Sequence, residues 1–309
     1  MKKLVFVLII FLVLIISFSV LIETEKFFLN IISTLNLWLF KVYPSVFTFY
    51  CISSLLLNTN ILNKFIYYTR FFFKKLRFQD QRTLNLFILS IFTGNPSSSG
   101  LIVESIEKSE LTINNANKLL KCSSFQNPLF ILGFLFPYSI KYAFVIIFVH
   151  ILSNLIITLV TNRKNDHTII ENASLKFQLK DILKSINNVI YLLLIISSMM
   201  VFANIIIFSM HTVINYLGFN NLYIGLILSQ FEISRGLKFI LELDLDKIIV
   251  YLLVCFTVAF NGLSIHLQVY NIISKYNLKY KLFFFYRIVQ GFISICLFIV
   301  FIFIEKSLF

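Results

Sequence analysis

Two short polar clusters interrupt an otherwise apolar chain, and they hold the residue types able to grip a small ligand. The first is Gly94-Asn95-Pro96-Ser97-Ser98-Ser99-Gly100. The second is Gln230, Glu232, Ser234, Arg235 and Gly236, in the middle of the apolar stretch 222–241. Each cluster is followed, at nearly the same interval, by an Asn and a helix breaker in an apolar run: Asn127-Pro128 and Asn261-Gly262. A helix broken at membrane depth leaves backbone N–H groups unpaired at one broken end, where partial positive charge gathers. Such an end holds an anion without burying a full cationic charge. The plainer alternative is a pair of kinked spans with no ligand, because Gly and Pro are common in transmembrane helices. Ser264, His266 and Gln268 follow the second break. On a helix Ser264 and Gln268 share a face, while His266 points elsewhere. Ionisable residues within a membrane are functional hypotheses in their own right. Glu232 is thus a candidate for a coupling cation or proton, and His266 is either a proton relay or a hydrogen-bonded structural histidine. His150, His167 and His211 have weaker claims. Arg287 sits within about a turn of the expected inner surface, where an Arg side chain snorkels; a place in the site is its alternative.

The surroundings of these residues set the class of protein. Of 309 residues 59% are hydrophobic, 13% are charged and 37 are Phe; the mean hydropathy is +0.89. A water-soluble fold of this size leaves too much of its area in water to hide that apolar surface. Lipid is therefore a partner, and a soluble enzyme is excluded. The net charge of +13 does not mark a nucleic-acid binder, whose Lys and Arg cluster on one face; here they fall in the gaps between apolar runs. Cys51, Cys122, Cys255 and Cys296 form no CxxC pair, so neither a zinc site nor a disulfide framework is expected. A Walker motif, HExxH and GxSxG are all missing, which argues against ATP drive within this chain and against membrane hydrolysis. The expectation is a protein that is not an enzyme and needs no cofactor or metal.

The runs thread through a bilayer as follows. Spans are expected at 4–22, 31–57 (broken by Pro44), 141–160, 189–210, 248–273 and 282–304, since crossing takes about 20 apolar residues. Ser17-Phe18-Ser19 offers a signal-peptidase site, but the uninterrupted first run favours a retained helix. The stretch 58–82 carries Lys64, Arg70, Lys74, Lys75, Arg77 and Arg82 against Asp80 alone. By the positive-inside rule it is cytoplasmic, as are the N-terminus, the polar segment 110–124, the loop 161–188 with Arg163, Lys164, Lys176, Lys180 and Lys184, and the turn around Lys275, Lys279 and Lys281. Glu242, Asp244 and Asp246 form an acidic outer patch. The segments 84–109 and 222–241 are too short and too interrupted to span. They read as re-entrant hairpins, and irregular backbone at that depth is tolerated only inside protein or against a wet cavity.

The two hairpins resemble each other. Ser98-Ser99-Gly100-Leu101 parallels Ser234-Arg235-Gly236-Leu237, and by this threading the first enters from inside and the second from outside. Paired interrupted segments of opposite sense point to a transporter site. The fold class expected is all-α: a polytopic membrane protein of two inverted repeats, each with a re-entrant helical hairpin and a broken helix. Its divisions are a transmembrane helix at 1–30, a first repeat at 31–160, a cytoplasmic linker at 161–188 and a second repeat at 189–309.

These residues also carry a family resemblance. Trp38, Tyr43-Pro44-Ser45, Gly94-Asn95-Pro96-Ser97, a polar helix at 111–124 and Asn127-Pro128-Leu129-Phe130-Ile131-Leu132-Gly133 occur in the order of the sporulation integral membrane family YlbJ. Phe260-Asn261-Gly262-Leu263-Ser264-Ile265-His266-Leu267-Gln268-Val269 and Arg287 to Gly291 continue the match. The family sits in the nucleoside-recognition, or Gate-domain, group. The resemblance implies a stage V sporulation role: moving dipicolinate across the outer forespore membrane. It departs at the first tip, where the family reads Gly-Tyr-Pro-Ser-Gly-Ala-Lys; here Asn95 replaces the Tyr, Ser98 the second Gly and Gly100 the Lys. A basic residue that would meet a carboxylate is thus absent at that point. For a flat aromatic dianion, Asn95, Ser97, Ser98 and Ser99 offer donors at one tip and Gln230, Ser234 and Arg235 at the other. Arg235 is the sharpest candidate, because Arg presents a bidentate fork to carboxylate; a salt bridge with Glu232 or a place at the outer surface is its plain alternative. Asn127, Asn261, Ser264 and Gln268 are expected to line the same site. The implied partners are lipid and a small organic anion, with a proton or sodium ion and a homo-oligomer as further partners the reading admits. A non-transporting scaffold for spore-envelope or cortex assembly and a nucleoside-type transporter are the competing readings.

Overall fold

The structure is a computed structural model that describes residues 2–78, 80–162, 174–175, 178–219 and 222–308. Every regular element among them is a helix. A long apolar helix, α1 (Lys2–Ile22), leads into α2 (Thr24–Leu37), which passes through a π turn into α3 (Tyr43–Asn58). The short α4 (Ile61–Tyr68) and α5 (Arg70–Phe73) follow. Then comes a hairpin of α6 (Gln81–Thr93) and α7 (Ser97–Glu107), a broken pair α8 (Ile113–Cys122) and α9 (Pro128–Leu135), and the long α10 (Ile140–Thr161). The order then recurs: a long α11 (Leu179–Tyr216), a hairpin of α12 (Leu222–Ser229) and α13 (Ile233–Leu241), a broken pair α14 (Lys247–Phe260) and α15 (Gly262–Ile273), and a closing α16 (Tyr280–Leu308).

Among the described residues, five stretches are long and apolar enough to cross a membrane: Thr24–Asn58, Ile140–Thr161, Leu179–Tyr216, Lys247–Tyr276 and Tyr280–Ser307. They agree with five of the six expected spans, and the sixth is the shorter apolar part of α1 at Phe6–Ile22. The molecule is an all-α integral membrane protein. Its outer faces carry Phe6, Phe148 and Phe303, each more than 60% exposed, while Asn154, Ser153 and Arg287 are wholly buried. That distribution suits a lipid solvent, in which apolar side chains need no burial and every polar group must find a partner inside.

Local chemistry starts each buried helix. Asp80 caps α6 by accepting the Thr83 N–H at 2.7 Å. Asn127 caps α9 through the Leu129 N–H at 2.8 Å, and Asp246 caps α14 through the Ile248 N–H at 2.8 Å. Each side chain satisfies a donor that the first helical turn leaves orphaned. α11 packs between α1, α2 and α3, and α14 packs on α16, which also meets α10.

The two hairpins open toward opposite ends of the bundle. Glu107, at the open end of the first, accepts a hydrogen bond from Tyr276, and Arg82 pairs with Glu110 at 2.6 Å. That end also gathers Lys108, bonded to Asn58, and the Lys279 amide, bonded to Asn117. The second hairpin opens at Glu242, Asp244 and Asp246, beside the start of α14, where Tyr251 stacks near Tyr142 of α10 with ring centroids 4.4 Å apart. Lys141 and Glu305 pair at that same end.

The polar helix expected at 111–124 is present but sits deeper than an inner-surface segment, and the extent of the loop after α10 needs correction. Residues Ile113–Cys122 form α8, which enters the bundle and buries Asn115, Ala116, Leu119, Leu120 and Cys122. Its polar face is accepted inside because it meets polar partners, Asn115 donating to Asp80 and Asn117 accepting from the Lys279 amide. The linker 161–188 is also shorter than expected: α11 starts at Leu179, so Lys180 and Lys184 ride on its first turns. Arg163, Lys164 and Lys176 lie outside the described residues.

Candidate functional site

The two tips and the two breaks meet at one place. In the first half, the tip sits directly on its own helix break: the Asn95 amide donates to Phe125 O at 2.7 Å. Gly94 has φ +65°, and a Cβ there would lie 2.4 Å from the Asn127 nitrogen. Only glycine fits so close an approach in that backbone region. In the second half, the Leu263 and Ser264 amides donate to Gln230 O and Phe231 O, each at 2.8 Å. The breaks are then tied across the halves. Gln126 Nε2 donates to Asn261 Oδ1 at 2.7 Å, and Asn261 Nδ2 donates to Ser124 Oγ at 3.2 Å. Ser124 Oγ also accepts from Asn95 Nδ2. A continuous polar chain therefore runs from the first tip through both breaks, at residues that are all less than a tenth exposed.

Beside this chain lies a narrow cleft of about 40 Å³. Asn95, Pro96 and Asn127 line it from the first half, and Glu232, Ser234, Ser264 and Gln268 from the second. Four helix starts converge here, those of α7, α9, α13 and α15. The two hairpins differ at theirs. Glu232 caps α13, accepting the Ser234 and Arg235 N–H groups at 3.1 and 2.9 Å. No side chain caps α7. Several buried polar atoms have no partner among the described residues: Asn127 Nδ2 and Gln268 Oε1, in residues that line the cleft, and Ser97 Oγ at the start of α7, which does not line it. Buried orphans of this kind are uncommon in folded proteins and ask for an explanation.

A second, wider cavity of about 240 Å³ continues along the same helices. Along α7 the cleft ends at Pro96 and the cavity takes over from Gly100 to Glu107; along α11 the division falls between Ile195 and Ile196. Asn188, Asn271 and Lys275 line this cavity toward the end that carries Lys108 and Lys279. Cleft and cavity thus form one series leading from the joined tips to the basic end of the bundle.

The remaining expected site residues are placed elsewhere. Ser98 and Ser99 turn back on Asn95 Oδ1, at 2.7 and 3.3 Å, and hold that side chain in place. Gln230 donates to Thr257 Oγ1 at 3.0 Å and does not line the cleft. Arg235 points away from it: its guanidinium reaches Ser33 Oγ at 3.1 Å and Asn30 O at 3.4 Å on α2. The Arg235 side chain is therefore an anchor between the second hairpin and α2. His266 faces away from the Ser264–Gln268 side as its helical phase requires. Its Nε2 donates to Phe260 O at 2.8 Å and its Nδ1 accepts from Tyr280 OH at 3.0 Å. It closes the end of α14 among Phe260, Phe283 and Phe284.

The chain is similar to the sporulation integral membrane protein YlbJ of Bacillus subtilis (strain 168). The two are 22% identical over 298 residues, covering 83% of this chain and 73% of YlbJ. No family model and no solved structure matches the chain. The name of the relative is that of the family expected from the tip and break motifs. YlbJ is named as a membrane protein, in keeping with the apolar helices here.

The central residue that sequence reasoning misplaced is Arg287. It does not snorkel; it is fully buried on α16. Its Nη1 donates to Ser124 O and its Nη2 to Lys121 O, both at 2.7 Å, with Gln290 and Asn154 beside it. These carbonyls end α8, where the helix dipole is negative. Arg287 therefore holds the first break in position without a carboxylate partner. Gln126 and Ser124 were also missed, although they lie one and three residues before the motif that starts at Asn127.

Proposed function

We propose that this protein is a membrane transporter of a small organic anion, built from two inverted repeats whose hairpin tips and helix breaks enclose the substrate site. The observation that carries the reading is the convergence of both tips and both breaks on one buried polar cleft. A membrane scaffold has no use for unpaired polar atoms at that depth, since each is costly to bury unless something bonds to it. The repeated order of elements and the opposite sense of the hairpins support the inverted relation. The wider cavity toward the basic end supports an approach path from the cytoplasm. The cleft has room for only about 40 Å³, so a ring-sized substrate fits only when the tips part. The similarity to a protein named for sporulation supports a membrane role in that process. Dipicolinate, moved across the outer forespore membrane, is the substrate this reading favours, and the protein moves it without chemical change.

Uptake into vesicles reconstituted with the full-length protein tests the reading. Ser97→Ala and Gln268→Met proteins are expected to insert normally and to lose at least about tenfold in uptake, because each removes a hydrogen bond to ligand worth about 1.4 kcal/mol or more. Wild-type protein that moves neither dipicolinate nor any other small carboxylate, together with unaltered sporulation in cells carrying both variants, would leave the scaffold reading standing.

A further inference from the structure

The two hairpins present unlike groups to the cleft, and the difference selects the charge of the ligand. This inference rests on the transport reading above. By the parallel of Ser98-Ser99-Gly100-Leu101 with Ser234-Arg235-Gly236-Leu237, Pro96 occupies the place of Glu232. At α13 the protein's own carboxylate takes the helix start. At the 11-residue α7 that place has no side-chain cap, and two buried groups able to donate lie beside it without partners: Ser97 Oγ, 0% exposed, and Asn127 Nδ2, in a residue 5% exposed that lines the cleft. This side is built for one carboxylate, held by neutral donors and a helix dipole. The opposite wall carries the hydroxyls of Ser234 and Ser264 and adds the acceptors that the first wall lacks. Gln268 Oε1, in a residue 1% exposed, has no partner, and each Glu232 oxygen keeps a lone pair beyond its backbone bond.

We propose that the cleft binds an organic acid bearing one net negative charge, its carboxylate at the start of α7 and a hydrogen-bond donor against Glu232 and Gln268, so that a dicarboxylic acid enters with one proton retained. That proton lies between the ligand's second carboxyl group and Glu232 and belongs to the pair; no covalent bond changes. A dianion would set a second carboxylate against Glu232 with no Lys or Arg lining the cleft to offset it. Like charges in that setting cannot both remain ionised. The charged group close to Glu232 is Arg235 on its own helix, and that guanidinium is turned to α2. From the other elements the cleft presents Ser45, Asn127, Met200, Ser264 and Gln268, none of which titrates.

The test is ligand-induced thermal stabilisation of the purified full-length protein in detergent, with pyridine-2-carboxylate, pyridine-2,6-dicarboxylate and neutral pyridine-2-carboxamide as probes. Near neutral pH the monocarboxylate is expected to bind tightest of the three. The affinity of the dicarboxylate is expected to rise about tenfold for each unit that pH falls, the slope for uptake of one proton, while that of the monocarboxylate stays flat. Glu232→Gln, which supplies an N–H in place of an acceptor, is expected to favour the dicarboxylate by about tenfold or more. Ser97→Ala is expected to weaken both acids alike and leave their order unchanged. The wild-type pH slope decides the matter even where Glu232→Gln does not fold. Tight binding of the dicarboxylate with no pH slope overturns the single-charge inference and leaves the transport reading in place. Failure of all three probes to stabilise the protein, with no carboxylate uptake in vesicles, overturns both.

Discussion

Ser97 Oγ and Gln268 Oε1 are buried and bond to nothing among the described residues, which separates stability from function at these two residues. A buried polar atom left unpaired costs about 1–3 kcal/mol. Ser97→Ala is therefore expected to leave thermal stability unchanged or raise it by about 1 kcal/mol, while uptake falls. A loss of stability without loss of uptake would make Ser97 a packing residue. Arg287 predicts the reverse pattern. Arg287→Met leaves Lys121 O and Ser124 O without their strongest donor, and hydrogen bonds to a charged group are worth about 1.5–3 kcal/mol each. A drop of about 3 kcal/mol or more in unfolding free energy is expected. Arg287→Lys should recover part of it, because one ammonium reaches fewer carbonyls than a planar fork. Thermal unfolding in detergent, followed by the exposure of buried cysteines, measures each. The sequence made Asn127 and Asn261 legible because a breaker follows each in an apolar run. It hid Arg287, whose partners lie 163 and 166 residues away along the chain, so that no local pattern distinguishes it from a snorkelling side chain.

At the scale of elements, the hairpins and their extents were legible: 84–109 and 222–241 were expected, and the helices run Gln81–Glu107 and Leu222–Leu241. Glycine, proline and serine in short apolar arms marked both tips. The polar α8 was legible as a helix but not in its burial, since an Asn-rich helix reads as a surface segment until Asp80 and the Lys279 amide are seen to meet its polar face. The start of α11 misled for a related reason: Lys180 and Lys184 continue a helix past the membrane boundary, where charge no longer forbids it. Close approach within the second hairpin gives a prediction at this scale. A Cβ at Gly236 would lie 2.0 Å from Ser229 O, a backbone atom that cannot turn aside. Gly236→Ala must therefore spread α12 from α13. The backbone bonds from Leu263 and Ser264 to the tip depend on that geometry, so the second break loosens with it. Faster protease cleavage near residue 230 in membrane vesicles is expected, and an unchanged pattern would show that the hairpin has slack elsewhere.

For the whole molecule, the decisive property is sidedness. Apolar length gave the spans, and the basic loops set the direction expected of them. The meeting of the tips was expected from the paired breaks, but the residues that join them were not, since they bond between halves 135 residues apart, as Gln126 does to Asn261. Two positions report the sense of each half. Asn271 lines the wide cavity near Lys275, and Asp244 is exposed at the open end of the second hairpin. With the four native cysteines replaced, Asn271→Cys is expected to react with a membrane-impermeant maleimide only from the cytoplasmic side, and Asp244→Cys only from the other. The positive-inside rule assigns those sides independently of any contact in the fold. A ligand that closes the path should slow labelling at Asn271→Cys by about tenfold when it is present at ten times its dissociation constant, and leave Asp244→Cys unaffected. Reaction of both from one side would mean the hairpins enter together, and the cleft would then lack the two opposed entrances that alternating access requires.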